Sequence, residues 1–269
     1  MKKIYFHVAL YTVLFINTVS AQDLNLVKKA KSGDAKAQTE LGLYYADKKD
    51  YELAGYWWEK AAEQNEPWAQ YNLGIGNLNN GDKEQAASWF RKAAEQGHAK
   101  AQTQLGLYYA DKKDYELAGY WWRKAAVQNE PLAQYNLGIG NLNNGDKEQA
   151  ASWFRKAAEQ GDAKSQTRLG LYYADKKDYE LAGYWWKKAA EQNEPEAQYN
   201  LGIGCFNNKD YENAINWWKK AAEQGHAGSQ YRLAVHYFNN SNFIEAKKWC
   251  SRSAQQGNES AKDLLKKMQ

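Results

Sequence analysis

The sequence has little histidine and cysteine, and it lacks the short motifs on which most catalytic and metal sites depend. None of its 4 histidines stands in a His-Glu-x-x-His or other close metal-binding spacing. It also has no Gly-x-Ser-x-Gly, no Cys-x-x-Cys and no phosphate-binding glycine-rich loop. We therefore expect no catalytic residue, no metal and no cofactor.

An excess of charge of one sign is also missing. The chain has 36 basic and 32 acidic residues, spread along its length without a basic block. Such a balance gives no reason to expect nucleic acid or anionic lipid as a partner. The 3 prolines lie at equivalent places and mark helix starts, not domain boundaries. Cys205 and Cys250 fall on helices that we expect a third helix to separate, so we predict no disulfide.

The first residues have the pattern of a secretory signal. Lys2 and Lys3 precede an apolar stretch over 4–16, and small residues lead to a cleavage point after Ala21. The apolar stretch is shorter than the ~20 residues of a transmembrane helix. We expect a signal peptide over 1–21, a periplasmic or secreted protein and no membrane insertion after cleavage. An uncleaved membrane anchor is the alternative.

From Gly33 to Gln256 the sequence is one unit of 32 residues written seven times. A strict period of this length is typical of a solenoid, in which stacked units build a continuous core. The leucines that mark the unit are Leu41, Leu73, Leu105, Leu137, Leu169, Leu201 and Leu233. The predicted units are 33–64, 65–96, 97–128, 129–160, 161–192, 193–224 and 225–256. Residues 22–32 and 257–269 are predicted to be capping helices that cover the ends of the array.

Odd and even units differ, so the larger block has 64 residues. Residues 33–96 and 97–160 differ at five positions, which are Asp34/His98, Glu40/Gln104, Glu59/Arg123, Glu63/Val127 and Trp68/Leu132. Diversification of partner contacts and neutral drift of the surface are the two explanations for these differences.

Each unit is predicted to fold as two helices. In the first unit the apolar spacing indicates a helix over 35–46 and a second over 51–64, with Asp50 as the N-cap of the second. Asn or Gly, residues able to adopt the left-handed conformation, follow every second helix. A glycine beside the marker leucine, such as Gly42, indicates close approach of the two helices, because glycine inside a helix costs about 1 kcal/mol relative to alanine.

The repeat resembles a known family. Residues 69–74 read Ala-Gln-Tyr-Asn-Leu-Gly and residues 92–97 read Lys-Ala-Ala-Glu-Gln-Gly, with Ala86 and Trp89 between them. This order closely resembles the Sel-one-like repeat (SLR), a bacterial relative of the tetratricopeptide repeat, over nearly the whole chain after the signal. The resemblance implies an all-α fold: a right-handed superhelical α/α-solenoid of seven helix-turn-helix repeats that scaffolds protein complexes. The turn over 47–50 is shorter than the usual SLR loop, so the superhelical pitch cannot be transferred from the family.

The tetratricopeptide resemblance implies which side chains face a concave groove. These are Lys36, Thr39, Glu40, Leu43, Trp68, Tyr71, Asn72, Ile75, Lys100, Gln104, Leu132, Tyr135, Ile139, Lys164, Arg168, Tyr199, Ile203 and Tyr231. Leu78, Phe206 and Val235 continue the same stripe. The alternative is that part of the stripe only packs adjacent first helices.

We therefore expect a monomeric, non-enzymatic scaffold that binds a protein or peptide partner in this groove. A periplasmic immunity protein that neutralises a toxic effector is the alternative. A hydrolase is the least expected function, because the SLR proteins linked to β-lactam chemistry have a cysteine pair in every unit and this chain does not.

Overall fold

The computed structural model describes residues 21–268, and the side chains of residues 24–268. The predicted signal peptide lies outside the described residues except for Ala21. Within them the only regular structure is α-helix. The helices are α1 Ala21–Lys31, α2 Ala35–Asp47, α3 Tyr51–Glu63, α4 Pro67–Asn79, α5 Lys83–Glu95, α6 Ala99–Asp111, α7 Tyr115–Ala126, α8 Pro131–Asn143, α9 Lys147–Glu159, α10 Ala163–Asp175, α11 Tyr179–Glu191, α12 Pro195–Asn207, α13 Tyr211–Glu223, α14 Ala227–Asn239, α15 Phe243–Gln255 and α16 Glu259–Lys267.

The helices belong to two compact units, one ending at Ala133 and the other beginning at Gln134. Within the first compact unit, consecutive helices from α1 to α7 pack on one another. Within the second compact unit, consecutive helices from α9 to α16 do the same. Helices α2 to α15 form seven helix-turn-helix pairs. The predicted all-α, solenoid-like architecture of seven helix pairs is confirmed.

The predicted helix starts and stops are confirmed. Asp50 caps α3, its carboxylate accepting a hydrogen bond from the Leu53 amide at 3.1 Å. Two or three residues after each second helix stands a residue with positive φ; these are Asn65, Gly97, Asn129, Gly161, Asn193, Gly225 and Gly257. The turn inside each unit also has a left-handed residue, which is glycine in two units, Gly81 and Gly145, and Lys49, Lys113, Lys177, Lys209 or Ser241 in the others.

The glycine beside the marker leucine lets the two helices of a unit touch, as predicted. A Cβ atom placed on Gly42 would lie 2.3 Å from Nε1 of Trp58, and one on Gly74 would lie 2.4 Å from Phe90. The same pairing recurs at Gly106, Gly138, Gly170 and Gly202. In the last unit the glycine is replaced by Ala234 and the aromatic residue by Cys250, and both are fully buried in one cluster. The smaller side chain makes room for the added methyl group.

Buried glutamines tie three helices together, a feature that the hydrophobic pattern does not predict. Gln102 on α6 donates from Nε2 to the Ala94 carbonyl of α5 at 3.0 Å, and its Oε1 accepts from Gln128, just after α7, at 2.9 Å. Gln38, Gln166 and Gln230 make the same two bonds. Each joins its own helix pair to the preceding one, so adjacent pairs are fixed in register by hydrogen bonds as well as by apolar packing.

The chain ends on a helix that packs against apolar surface. Leu264 and Leu265 of α16, and Met268 just after it, lie against the cluster built around Trp249, and Cys250 donates from Sγ to the Ala261 carbonyl at 3.0 Å. Cys205 and Cys250 are free cysteines. Over the described residues, none of the helices is long and apolar enough to cross a membrane.

Candidate partner-binding surface

The structure places all but one of the predicted groove residues at least partly at the surface. The exception is Thr39, which is only 6% exposed. Its hydroxyl donates to the Ala35 carbonyl at 2.9 Å and lies 3.2 Å from the Glu66 carboxylate. Thr39 therefore serves internal packing and is removed from the proposed surface. Among the others, Leu43, Trp68 and Leu132 are 46%, 48% and 38% exposed, more than apolar side chains in a core would be.

In the first compact unit the structure brings together five side chains from the starts of α4 and α6 and from the residue before α8. We call Trp68, Tyr71, His98, Lys100 and Glu130 the Trp68 cluster. The His98 ring lies 4.4 Å from the Trp68 ring, edge to face, and 5.0 Å from the Tyr71 ring. Nζ of Lys100 stands 5.8 Å over the Trp68 ring. Exposed tryptophan, a cation and a half-buried tyrosine thus meet at one place.

Burial shifts the protonation equilibria of this cluster. Burial lowers the pKa of His98 to about 4, and the charge of Lys100 adds to that effect. Burial raises the pKa of Glu130, and the positive charge of Lys100 opposes this shift. Burial also raises the pKa of Tyr71, with a smaller contribution from the charge of Glu130. At neutral pH the histidine is therefore uncharged.

His98 also has a structural role. Its Nδ1 accepts a hydrogen bond from the Ala101 amide at 3.1 Å and so caps α6. The proton of the neutral ring consequently sits on Nε2, which is buried and has no hydrogen-bond partner among the described residues. A charged ring could not accept that bond, so the cap requires the neutral form that burial favours.

In the second compact unit the equivalent positions carry different chemistry. Tyr199 keeps its place beside a histidine cap, with its ring 4.8 Å from His226. Glu196 stands where the first unit has Trp68, and Gly228 stands where it has Lys100. Burial lowers the pKa of His226, opposed by the charge of Glu196. An aromatic and cationic surface is therefore replaced by an acidic one on the same frame.

Glu194 brings a further carboxylate close to the predicted groove residue Lys164. Burial raises the pKa of Glu194, and the nearby charge of Lys164 opposes the shift.

Some of the predicted groove residues pack against other side chains. The aromatic ring of Tyr135 packs 5.8 Å from Phe154, while Ile203 and Tyr231 lie against the cluster of Trp218 and Trp249. Tyr135, Ile203 and Tyr231 are therefore partly packed and partly exposed, which agrees in part with the alternative that the stripe packs adjacent first helices.

Sequence reasoning did not place His98, His226, Glu130 or Glu194 in the groove. They share one signal, because each is the residue immediately before a first helix, and His98, Glu194 and His226 occupy the N-cap position. That position was interpreted as structural, and its side chain also reaches the surface face. The side-chain nitrogens of Asn72, Asn136 and Asn200 form a second regular set, buried and without a hydrogen-bond partner in the described part of the chain.

The surface is suited to binding by stacking, charge and hydrogen bonds. Residues 24–268 hold no group of three or more His, Cys, Asp or Glu placed to bind a metal ion. The shifted groups described above touch aromatic rings or helix ends. Nδ1 of His226 lies 3.0 Å from the Ser229 hydroxyl and accepts a hydrogen bond from the Ser229 amide at 3.2 Å, so this contact belongs to the cap of α14.

Comparison with known proteins gives one family and several similar structures. The family model of the Sel1 repeat matches seven segments, 35–66, 69–98, 99–129, 131–162, 163–194, 195–226 and 227–258. A protective antigen present in uropathogenic Escherichia coli strains, described as displaying an SLR fold, is 32% identical with a TM-score of 0.73. That similarity covers 89% of this chain, which spans 58% of the length of the antigen. A Sel1 repeat protein from Oxalobacter formigenes is 29% identical with a TM-score of 0.71, covering 80% of this chain and 96% of that one. No curated protein matches this chain.

Proposed function

Because the chain belongs to the Sel1 repeat family, whose members are in general scaffolds for protein–protein interaction, we propose that it binds a protein or peptide partner along the exposed face of its first helices. One observation carries the proposal. The close-approach glycines and the buried glutamines recur with little change, whereas the second residue of the first helix in the three even units is Trp68, then Leu132, then Glu196. Constant packing with variable surface chemistry is what a binding surface needs.

The proposed role is non-catalytic, and the proposed place is the periplasm or the cell exterior. The support for export is the pattern over residues 1–21. A scaffold in the cell envelope is the first candidate, and an immunity protein against a toxic effector is the second. The partner separates the two, since an envelope component supports the scaffold and an effector supports the immunity protein.

A capture experiment tests the binding surface. Tagged protein is recovered from the native periplasm, where its mass should correspond to a chain beginning at Gln22. The test variant is Trp68→Glu with Leu132→Glu, which places at both positions the glutamate that the chain itself has at Glu196. The control variant is Tyr115→Glu with Tyr179→Glu, whose side chains are 68% and 69% exposed at the starts of second helices.

We expect one stoichiometric protein bound by the wild type and the control and lost from the test variant. Equal capture by all three proteins would show that the first-helix face is not the binding surface. Hydrolysis of a β-lactam or a lipid ester above background by the purified protein would contradict the non-catalytic part of the proposal.

A further inference from the structure

The fold repeats one surface cleft at intervals of 64 residues. Each cleft lies between the two helices of an even unit and the first helix of the next unit. The first is lined by residues from Leu78 to Asp111 on α4, α5 and α6, and the second by residues from Leu142 to Asp175 on α8, α9 and α10. The third lies between α12, α13 and α14 and is lined by Phe206, Tyr211, Ile215, Trp218, Arg232, Val235, His236, Asn239 and Asn240. Because the positions are equivalent, the three clefts can be compared side chain by side chain.

Ion pairs cross the rim of the first two clefts. Lys83 bonds Asp111 at 2.8 Å in the first, and Lys147 bonds Asp175 at 2.7 Å in the second. A second pair stands beside each, with Lys112 bonded to Glu84 at 2.8 Å and Lys176 bonded to Glu148 at 2.7 Å. These pairs are exposed and contribute little stability, but Lys83 and Asp111 line the first cleft and Lys147 and Asp175 line the second.

The third cleft has neither pair. Tyr211 and Asn239 replace the lysine and aspartate of the first pair, and Asn240 replaces the lysine of the second. The amide of Asn240 instead donates to the His236 carbonyl of its own helix at 2.8 Å. The volume of the third cleft is about 330 Å³, against about 150 Å³ and 250 Å³ for the other two. The third cleft therefore combines the largest of these three volumes with a rim that lacks both pairs.

The wall of the third cleft is a row of aromatic rings that ends in a cation. The Tyr211 and Phe206 rings are 5.2 Å apart, and Phe206 lies 5.6 Å from the Trp218 ring. The guanidinium carbon of Arg232 stands 5.7 Å over Trp218. The first cleft has Gln104 at the Arg232 position, and in the second Arg168 shares the lining with Asp175. In the third cleft no acidic side chain is among the lining residues, so the positive charge faces an apolar cavity without a counter-charge there.

From this geometry we propose that the third cleft anchors an apolar side chain of a partner peptide that carries a carboxylate next to it, as in a Phe-Glu or Leu-Asp pair. The aromatic wall receives the apolar group, since about 150 Å³ is enough for a benzene ring and the cleft is about twice that size. Arg232 pairs with the carboxylate, for which the fixed fork of a guanidinium is well suited. The inference rests on the proposed function and names the chemistry of the partner at one position.

The probe for the test is the dipeptide N-acetyl-Phe-Glu-amide, titrated against full-length protein while the indole N–H signal of Trp218 is followed by NMR. The signal is assigned with the variant Trp218→Phe. N-acetyl-Phe-Gln-amide lacks the charge, and N-acetyl-Ala-Glu-amide lacks the ring. We expect each of these to bind at least about five-fold more weakly, because a charge-assisted bond or a buried ring is lost. Equal binding of the three peptides, or no shift at Trp218 with any of them, would overturn the proposal.

Two variants copy what the chain already has in the other clefts. Arg232→Gln gives the third cleft the residue that the first cleft has at the equivalent position, Gln104. Tyr211→Lys with Asn239→Asp gives the third cleft a rim ion pair like that of Lys147 and Asp175 in the second. Each should weaken binding of the Phe-Glu peptide at least about five-fold by removing the counter-charge or closing the opening. Arg123→Gln, at an exposed position of α7 that belongs neither to the three clefts nor to the predicted groove, is the matched control and should leave the affinity unchanged. If a variant fails to fold, titration of the wild-type protein with the three peptides is sufficient to test the proposal.

The proposal for the third cleft and the proposed function can be refuted independently of each other. If a captured partner depends on Trp68 and Leu132 but binds Arg232→Gln and Tyr211→Lys/Asn239→Asp as tightly as the wild type, the function stands and the anchor site is rejected. If the peptide binds at Trp218 but no protein is captured through the first-helix face, the cleft stands as a ligand site and the proposed function is rejected.

Discussion

The residue before each first helix shows how one position can serve two purposes. The side chains of Asp34, Glu66 and His98 accept a hydrogen bond from the first turn of the helix, as Asn258 does before α16, whereas Glu194 makes no such bond. More than one side-chain type can therefore act as the cap at this position. What differs is the charge that the cap presents to the neighbouring aromatic side chains. A sequence reader sees the cap but not this second contact, which depends on the approach of the adjacent helix pair.

The histidine cap predicts a pH-dependent stability. In the folded state the pKa of His98 is about 4, below its ordinary value of 6.5. The unfolded chain therefore takes up a proton first as the pH falls. We expect the contribution of His98 to the free energy of unfolding to be fully present above pH 6.5 and to be lost as the pH falls from there towards 4. Urea denaturation at pH 7 and pH 5 measures the difference.

The matched variant for this prediction is His98→Asn, because Asn258 already caps α16 with the same geometry, accepting from the Ala261 amide at 3.0 Å. It should fold at pH 7 and lose less stability than the wild type between pH 7 and pH 5. His226→Asn should act in the same direction. An unchanged loss of stability in both variants would mean that the buried histidine caps do not cause the pH dependence.

At the scale of helices, the glycine and the aromatic residue facing it form one packing unit. Sequence alone indicated the close approach because a glycine recurs inside a helix where it has a cost. The identity of the facing residue required the structure. The last unit supplies the internal comparison, since Ala234 occurs only where Cys250 has replaced the aromatic ring.

This pairing predicts a coupled effect of two substitutions. Gly106→Ala places a methyl group 2.4 Å from Nε1 of Trp122, and overpacking of this kind costs about 1–3 kcal/mol of unfolding free energy. Trp122→Cys alone removes a large packed ring. The double variant recreates the pair of Ala234 and Cys250, so its destabilisation should be smaller than the sum of the two single effects by about 1 kcal/mol or more.

Chemical denaturation of the four proteins in the cycle measures this coupling. Gly119→Ala is the control, because Gly119 lies on the second helix of the same unit and an added Cβ there would meet only the flexible end of Arg123, at 3.3 Å. It should not destabilise the protein. Strict additivity of Gly106→Ala and Trp122→Cys would refute the interpretation of the pair as one packing unit.

At the scale of the whole molecule, the period of 32 residues predicted the fold because each unit repeats the same caps, stops and apolar stripe. Less of the binding surface could be predicted. Thr39 was assigned to the groove by its register, but the Glu66 carboxylate and the Ala35 carbonyl hold it inside. The third cleft was not predicted, because the ion pairs that it lacks join residues 28 positions apart, as in Lys83 and Asp111 of the first block, and such a pairing cannot be recognised from the repeat pattern.

The terminal helix predicts the effect of truncation. Removing residues 259–269 uncovers the cluster around Trp249 and leaves the Cys250 thiol without its acceptor. We expect the melting temperature to fall by about 5 °C or more, since about 1 kcal/mol corresponds to a few degrees in a chain of this size. The control is Lys262→Ala with Lys266→Ala on the exposed face of the same helix, which should leave the melting temperature within about 1 °C. A truncated protein that melts with the wild type would show that α16 does not protect the end of the array.

The near-identity of residues 33–96 and 97–160 has a consequence for the gene. Both blocks end on the same junction, Gln96 to Gly97 and Gln160 to Gly161, with a positive φ at each glycine. Recombination between the two stretches of coding sequence would add or remove 64 residues and reproduce a junction that the chain already contains. Such an exchange would change the number of helix pairs by two in one event, while each helix pair keeps a neighbour of the kind that it has now.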